Sequence, residues 1–542
     1  MCQFSRMPKD KLHNSNRETK GAKRADNAPR QVTLGVVPLA RGTAHPFTIS
    51  EADLDEHFYI IGRSGTGKSN LLTELAIADM ELERGLCFID PIGDAAQTLL
   101  THVPKANPDI ATDRDGTRRQ RQRSDYDARR DASRTNGAGR DKDVIYIDCA
   151  DTDFPIGINP LYNIAPEDRP RAVSDILQMF SGIWHDSGWG PRMESIFRAA
   201  LHTLIENPNC IRPSLLTVFR LLLDEGFRKD TKTDIANRQL LDWWDFRFDR
   251  GDLNERTRRE WVEPVLNKID TLSLDPLIRN IIGQPRCALD FDEVIARRQI
   301  LIVNLNQNRI GLDNAAFIGM LIISRLRQAA AKTGRRDQPF SISIDEAHTF
   351  PTMELTKIVT QGRHNGLFGR FAHQHLEQFD PKIASALRNG CGSLAVFAVG
   401  NKDAEAIVDD LEALHRDRAL DIIRNLGRGE AYLRLTQNGT PTPTSTPVSV
   451  RKRGRGKASV ISARNFTRER FGTDRMRAEF QIASAHNDLD LGELALWQVR
   501  FNMERKSRAK AQDKNRKARL KRKALLTPQI EGVSNRGVSA PA

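Results

Sequence analysis

Seven short, wholly or largely apolar runs punctuate the chain: Phe58–Ile61, Leu86–Ile89, Val144–Ile147, Ile300–Leu305, Phe340–Ile344, Phe368–Ala372 and Leu394–Val399. Most are separated by stretches with apolar positions at helical spacing. Apolar runs of four to six residues, flanked by helices, predict strands of a mostly parallel sheet covered on both faces, hence an α/β fold. Glu430–Leu435 predicts one more strand, antiparallel and at the edge. Residues 165–285 lack strand alternation and read as helices, for example Pro191–Glu206 and Arg256–Thr271, which predicts an all-α subdomain inserted between strands. Trp184, Trp189, Trp243, Trp244 and Trp261 all lie there; such rings fill a core or stack on bases.

Charge divides the chain further. The formal net charge is +13, but residues 1–30 carry 8 Lys/Arg against 3 Asp/Glu and residues 449–542 carry 23 against 9, which leaves the body mildly acidic. Basic ends on an acidic body predict arms that meet a polyanion, with solubilising tails as the alternative. The expected order is a disordered basic arm (1–30), a first part of the α/β core (31–164), the all-α subdomain (165–285), a second part of the core (286–440), and a linker with a basic, partly helical tail (441–542). Within the first part, 108–143 holds ten Lys/Arg and eight Asp with almost nothing apolar, a solvated and disordered insertion. The tail opens with a Pro/Thr-rich linker, Pro441–Pro447, and the basic run Arg451–Lys457. Residues 491–523 predict one long helix that turns basic toward its end. Six scattered cysteines without a C-x-x-C pair argue against a disulfide framework or zinc site and for a reducing compartment. No run approaches the ~20 apolar residues of a membrane span, so the expectation is a soluble, cytoplasmic protein, peripheral at an inner membrane only through a partner.

The most specific chemistry is Gly62-Arg63-Ser64-Gly65-Thr66-Gly67-Lys68-Ser69, of the form G-x-x-x-x-G-K-[ST], between the strand Phe58–Ile61 and a helical pattern over Asn70–Glu83. In that context glycines let backbone N–H groups surround phosphate oxygens at a helix N-terminus. Lys68 is expected to neutralise the β/γ-phosphates, Ser69 to offer its hydroxyl to Mg2+, and Asn70 to continue the nucleotide-binding loop, so ATP and Mg2+ are the expected ligands. The strand Phe340–Ile344 runs into Asp345-Glu346. Asp345 is the expected second holder of Mg2+ and Glu346 the residue that orients and polarises the attacking water. Gln374, after the next strand, is a candidate γ-phosphate sensor or a loop amide. Arg363 is a candidate finger toward a neighbouring subunit or a surface ion pair. In Asp90-Pro91-Ile92-Gly93-Asp94 the carboxylates are expected to make a turn or to support the site. His348 and His373 lack a visible third ligand for a metal.

Taken in order, GRSGTGKS (62–69), FIDPIGD (88–94), DVIYID (143–148), IGINPL (156–161), WGPRME (189–194), ILIVNL (300–305), SIDEAH (343–348) and FAHQ (371–374) resemble the HerA–FtsK superfamily, above all the conjugative coupling ATPases of type IV secretion. The resemblance spans about residues 35–440. It implies a RecA-like P-loop core with an inserted all-α domain, a hexameric homo-oligomeric ring with ATP at subunit interfaces, and DNA moved through the channel by hydrolysis, with a relaxase or secretion-channel proteins as further partners. By position it assigns catalysis to Lys68, Glu346 and Gln374. Arg363 falls where relatives carry an Arg in an E-x-R-K-x-G-like stretch, which here reads Thr360-Gln361-Gly362-Arg363-His364-Asn365-Gly366. The alternatives are a HerA-like soluble motor for repair or packaging and a non-catalytic DNA-binding scaffold.

Overall fold

A computed structural model describes residues 30–38, 43–104, 140–184, 188–207, 213–250, 254–411, 415–437, 439–444 and 446–486, with Val499 and Met503. The arm 1–29, most of the 108–143 insertion and nearly all of the helix expected over 491–523 lie outside the described residues.

The apolar runs become strands because their residues are buried on both faces. In chain order they are β1 (Gln31–Pro38), β2 (Ala44–Ser50), β3 (Phe58–Ile61), β4 (Gly85–Asp90), β5 (Val144–Asp148) and β6 (Ile300–Asn304). There follow β7 (Phe340–Ile344), β8 (Leu367–His373), β9 (Ser393–Val396), β10 (Glu430–Gln437), β11 (Thr440–Pro443) and β12 (Val448–Val450). All join one sheet in the order β2-β1-β12-β10-β9-β3-β8-β7-β4-β6-β5, with β11 on β10. From β9 to β5 every pairing is parallel; from β9 through β10, β12 and β1 to β2 every pairing is antiparallel.

Strand alternation divides the core in two. Ile60, Leu86, Phe88 and Ile302 face helices α1 (Lys68–Glu81) and α2 (Asp94–Leu100). Tyr59, Ile61, Cys87, Ile89, Ile145 and Ile147 face the other way, into a cluster that continues into the helices between β5 and β6. Among the described residues of 165–285 every regular element is helical, including α3 (Arg169–Ile183), α4 (Pro191–Glu206) and α5 (Glu255–Ser273). The tryptophans there are structural. Trp244 is fully buried, meets Trp243 and Phe248 edge-on or near it, and donates from Nε1 to Thr203 Oγ1 at 2.8 Å.

Helix α1 begins at Lys68 rather than Asn70, because Gly67 (φ 124°) turns the chain directly into it, and it ends before Glu83, which takes φ 60°. Its far end is pinned to the sheet by Asp79, which is fully buried. The carboxylate accepts from Arg370 of β8 (2.6 and 3.1 Å) and Ser341 of β7 (2.5 Å), and pairs with Arg84 (3.0 Å). A buried carboxylate persists only when paired in this way.

Four expectations need correction. Glu430–Leu435 is antiparallel but not an edge: β10 lies between β9 on one side and β11 and β12 on the other. The expected linker Pro441–Pro447 is partly strand. Thr440–Pro443 pairs back onto β10, and its prolines sit on an outer strand, where a missing N–H costs no ladder bond. Finally, the start of the expected tail belongs to the body. β12 inserts between β10 and β1, α6 (Val460–Phe471) covers the β5 edge, and α7 (Arg475–His486) follows it. Thr467 Oγ1 accepts the Tyr146 N–H at 3.0 Å, while Arg464 and Arg468 pair with Asp148 and Asp151. The end of the 108–143 insertion is also folded: Arg140 is buried and donates to the carbonyls of Arg84 (2.7 Å) and Arg298 (2.6 Å).

Candidate nucleotide site

The order β3-β8-β7 decides what meets what. Parallel register places Ile61 of β3 opposite His373 of β8, and Phe371 of β8 opposite Ile344 of β7. The three carboxyl ends are therefore level. The glycine-rich loop leaves β3, Gln374 leaves β8 beside it, and Asp345-Glu346 leave β7 one strand further, at the edge where open α/β sheets bind ligands.

The loop holds itself open by backbone bonds. Gly62 N–H donates to the His373 carbonyl (3.3 Å) and Arg63 N–H to that of Ala398 (2.8 Å). Gly65 and Gly67 have φ of 74° and 124°, a region that suits glycine. The Arg63 carbonyl accepts from Thr66 Oγ1 (2.7 Å) and Lys68 Nζ (3.1 Å). Behind the loop, Gly429 N–H donates to the Thr66 carbonyl at 2.7 Å. A Cβ on Gly67 would stand 3.2 Å from the Gly429 Cα, so the Gly427-Arg428-Gly429 turn backs the loop at close range. Arg63, Ser64 and Gly65 are exposed; Ser69 and Asn70 are half-buried.

Lys68 is only 4% exposed. Burial lowers its affinity for a proton, against the pull of Glu346 and Asp345. Asp345, 5% exposed, has its pKa pushed up to about 6 by burial, against the neighbouring Ser69 side chain and the Glu346 N–H that donates to its carboxylate at 3.0 Å. A hydroxyl and a carboxylate brought close together near a buried lysine are hard oxygen donors that fit Mg2+. Glu346 sits in the left-handed region (φ 43°) and accepts from Gln374 Nε2 at 2.9 Å. Strained backbone of this kind concentrates at functional sites. Lys68, Ser69, Asp345, Glu346 and Gln374 thus converge from three strand ends.

Arg363 does not join them. It precedes β8, at the opposite end of that strand from Gln374, and ion-pairs with Glu56 just before β3. Asp90 makes the turn after β4: its carboxylate accepts from the N–H groups of Ile92 (2.9 Å) and Ala96 (2.8 Å). Asp94 opens α2. His373 is structural; burial drives its pKa down to about 3, and its nitrogens meet the His375 carbonyl (3.0 Å) and Tyr59 OH (2.6 Å).

The sequence reading missed three neighbours. Gln378 accepts the Gln374 N–H and meets His348, whose Nδ1 lies 3.5 Å from Glu346, contacts invisible in sequence. The basic run Arg451–Lys457 crosses α1: Arg453 pairs with Glu74 and Glu81, and Gly456 N–H donates to Thr101 Oγ1 at 2.9 Å. Arg451, Lys452 and Arg455 line a cavity of about 610 Å3 that begins at Ser69 and Asn70. The paired glycines of Gly427-Arg428-Gly429 were the one legible hint of a close approach to the loop.

No family model matches the sequence, and no curated protein matches it either. Solved structures do. The unbound monoclinic form of the bacterial conjugative coupling protein TrwB aligns over 80% of this chain and 91% of its own, at 15% identity and a TM-score of 0.52. TrwB with a non-hydrolysable ATP analogue aligns over 80% and 92%, at 16% identity and 0.51. Its complex with a GTP analogue aligns over 76% and 89%, at 16% and 0.51. At such identities the likeness bears on architecture alone: this chain has an α/β fold similar to that of TrwB.

Proposed function

We propose that the chain is an ATP-driven DNA translocase of the coupling-protein type, working as a ring of identical subunits. The observation that carries this reading is the meeting of Lys68 and Ser69 with Asp345, Glu346 and Gln374 at level strand ends. A phosphate loop alone binds nucleotide; a carboxylate beside Glu346 and an amide donor on Glu346 are parts for hydrolysis. TrwB, which shares the fold, was solved with ATP and GTP analogues, in keeping with a nucleotide in this loop.

Lys68 and the loop N–H groups bind and neutralise the β- and γ-phosphates. Ser69 and Asp345 are the residues that would hold Mg2+, which supplies charge neutralisation when bound. Glu346 orients a water against the γ-phosphorus and accepts the proton that this water gives up as it attacks. Gln374, bonded to Glu346 and following the strand beside the loop, links that carboxylate to the state of the γ-phosphate. Arg363, remote from its own subunit's loop, is assigned to the neighbouring subunit's nucleotide. Residues beyond His486 are assigned to phosphate-backbone contact.

ATP hydrolysis with and without single- and double-stranded DNA tests the reading. DNA is expected to stimulate turnover, and Glu346→Gln to abolish it while ATP still binds. Turnover that ignores DNA, or that survives Glu346→Gln, would overturn it.

A further inference from the structure

Gln378 ends a 3-10 turn just after β8. Its Oε1 accepts two backbone N–H groups, from Gln374 (3.0 Å) and His375 (2.9 Å). A backbone N–H only donates, so the orientation of this amide is settled. Its NH2 group therefore faces His348 Nε2, 3.3 Å away. An amide NH2 cannot accept, so Nε2 must, and a neutral imidazole then carries its one proton on Nδ1. Nδ1 lies 3.5 Å from Glu346 Oε2. Both atoms are buried, and neither has a hydrogen-bond partner among the described residues.

We infer that His348 is a positioning residue for Glu346: its Nδ1–H holds Oε2 while Gln374 holds Oε1, and the two together fix the plane of the carboxylate. This rests on the reading of Glu346 as the group that polarises the attacking water. A small rotation closes 3.5 Å to a hydrogen bond, and catalytic contacts commonly tighten once substrate is bound. Burial favours the neutral ring this arrangement needs. Each carboxylate oxygen keeps a second lone pair, so fixing the plane leaves an acceptor for water. The circuit also closes on itself, because Gln378 is held by the backbone of Gln374, whose side chain holds Glu346. A shift of the β8 end thereby reaches both carboxylate oxygens.

Two substitutions in the full chain separate this from a packing role. His348→Asn places an amide donor near the position of Nδ1. His348→Gln places its amide near that of Nε2, where it meets Gln378 but not Glu346. The Gln variant is expected to lose about tenfold to a hundredfold in kcat, the range for a hydrogen bond to a charged group. Affinity for a fluorescent ATP analogue should stay unchanged, and the Asn variant should keep most of the wild-type kcat. Equal kcat in the two variants, or a loss that appears in nucleotide affinity, overturns the inference. Thermal melts confirm folding, and His348→Ala replaces the Gln variant if that one does not fold. A wild-type chain without ATP turnover sinks the hydrolytic reading and the inference with it; turnover with indistinguishable variants sinks the inference alone.

Discussion

His57 shows how much a single side chain owes to its surroundings. It is 1% exposed, its Nδ1 accepts the Gly369 N–H at 2.8 Å, and burial drives its pKa down to about 4. Unfolded, it would titrate near 6.5. Between those values the unfolded chain binds more protons than the native one, so stability rises with pH through the window and is fully present above it. On falling from pH 7 to pH 4 this group should cost about 3 kcal/mol of stability. His57→Asn keeps an acceptor for Gly369 and removes the titration. In urea melts at both pH values it should lose correspondingly less than wild type; parallel losses would show that His57 stays neutral for another reason. Nothing in the residues around His57 signals this. Neither does the sequence near Asp79 name Arg370 and Ser341, almost three hundred positions away, as the groups that satisfy its charge.

At the scale of elements, the segment from β11 to α7 was the one the chain pattern misrepresented. Prolines, threonines and a basic run read as linker and tail, yet β12 fills a place between β10 and β1, and Arg451 N–H donates to the Leu34 carbonyl. Gly456 then passes so close to α2 that a Cβ would stand 2.1 Å from the Thr101 carbonyl oxygen. Backbone cannot yield as a flexible side chain does, so Gly456→Ala should destabilise the fold by about 1–3 kcal/mol in denaturant melts. A chain ending at Pro447 should be insoluble or molten, since it leaves β1 and β10 unpaired along facing edges. A chain ending at His486 should melt as the full chain does. Only the latter truncation tests nucleic-acid binding by the remaining basic residues, through a shallower dependence of DNA affinity on salt. An unchanged slope would refute that role.

For the whole molecule, the position of Arg363 has a consequence. Strand β8 separates it from Gln374, and at about 3.3 Å per residue the strand puts the two near opposite edges of the sheet. No side chain spans that distance, so Arg363 can serve a nucleotide only across a subunit boundary. Arg363→Ala should lower kcat and leave ATP affinity intact. Mixing it with Lys68→Ala subunits should restore turnover, because a sound arginine from one then faces a sound phosphate loop in the other. Two inactive variants that stay inactive on mixing would return Arg363 to its pairing with Glu56.

Strand positions, the phosphate loop and the acidic pair were legible in the chain because each depends on neighbours a few residues away: apolar runs bury both faces, glycines permit a tight loop, and carboxylates end a strand. Their meeting was expected only because the two motifs occur together; its physical cause, β8 pairing between β3 and β7, is a choice made by hydrogen bonds across hundreds of residues and lies outside any local pattern. The same holds for the proton on His348, which is set by an amide whose own orientation two backbone N–H groups decide. Local chemistry named the parts of the site, and the order of strands in the sheet brought them to one place.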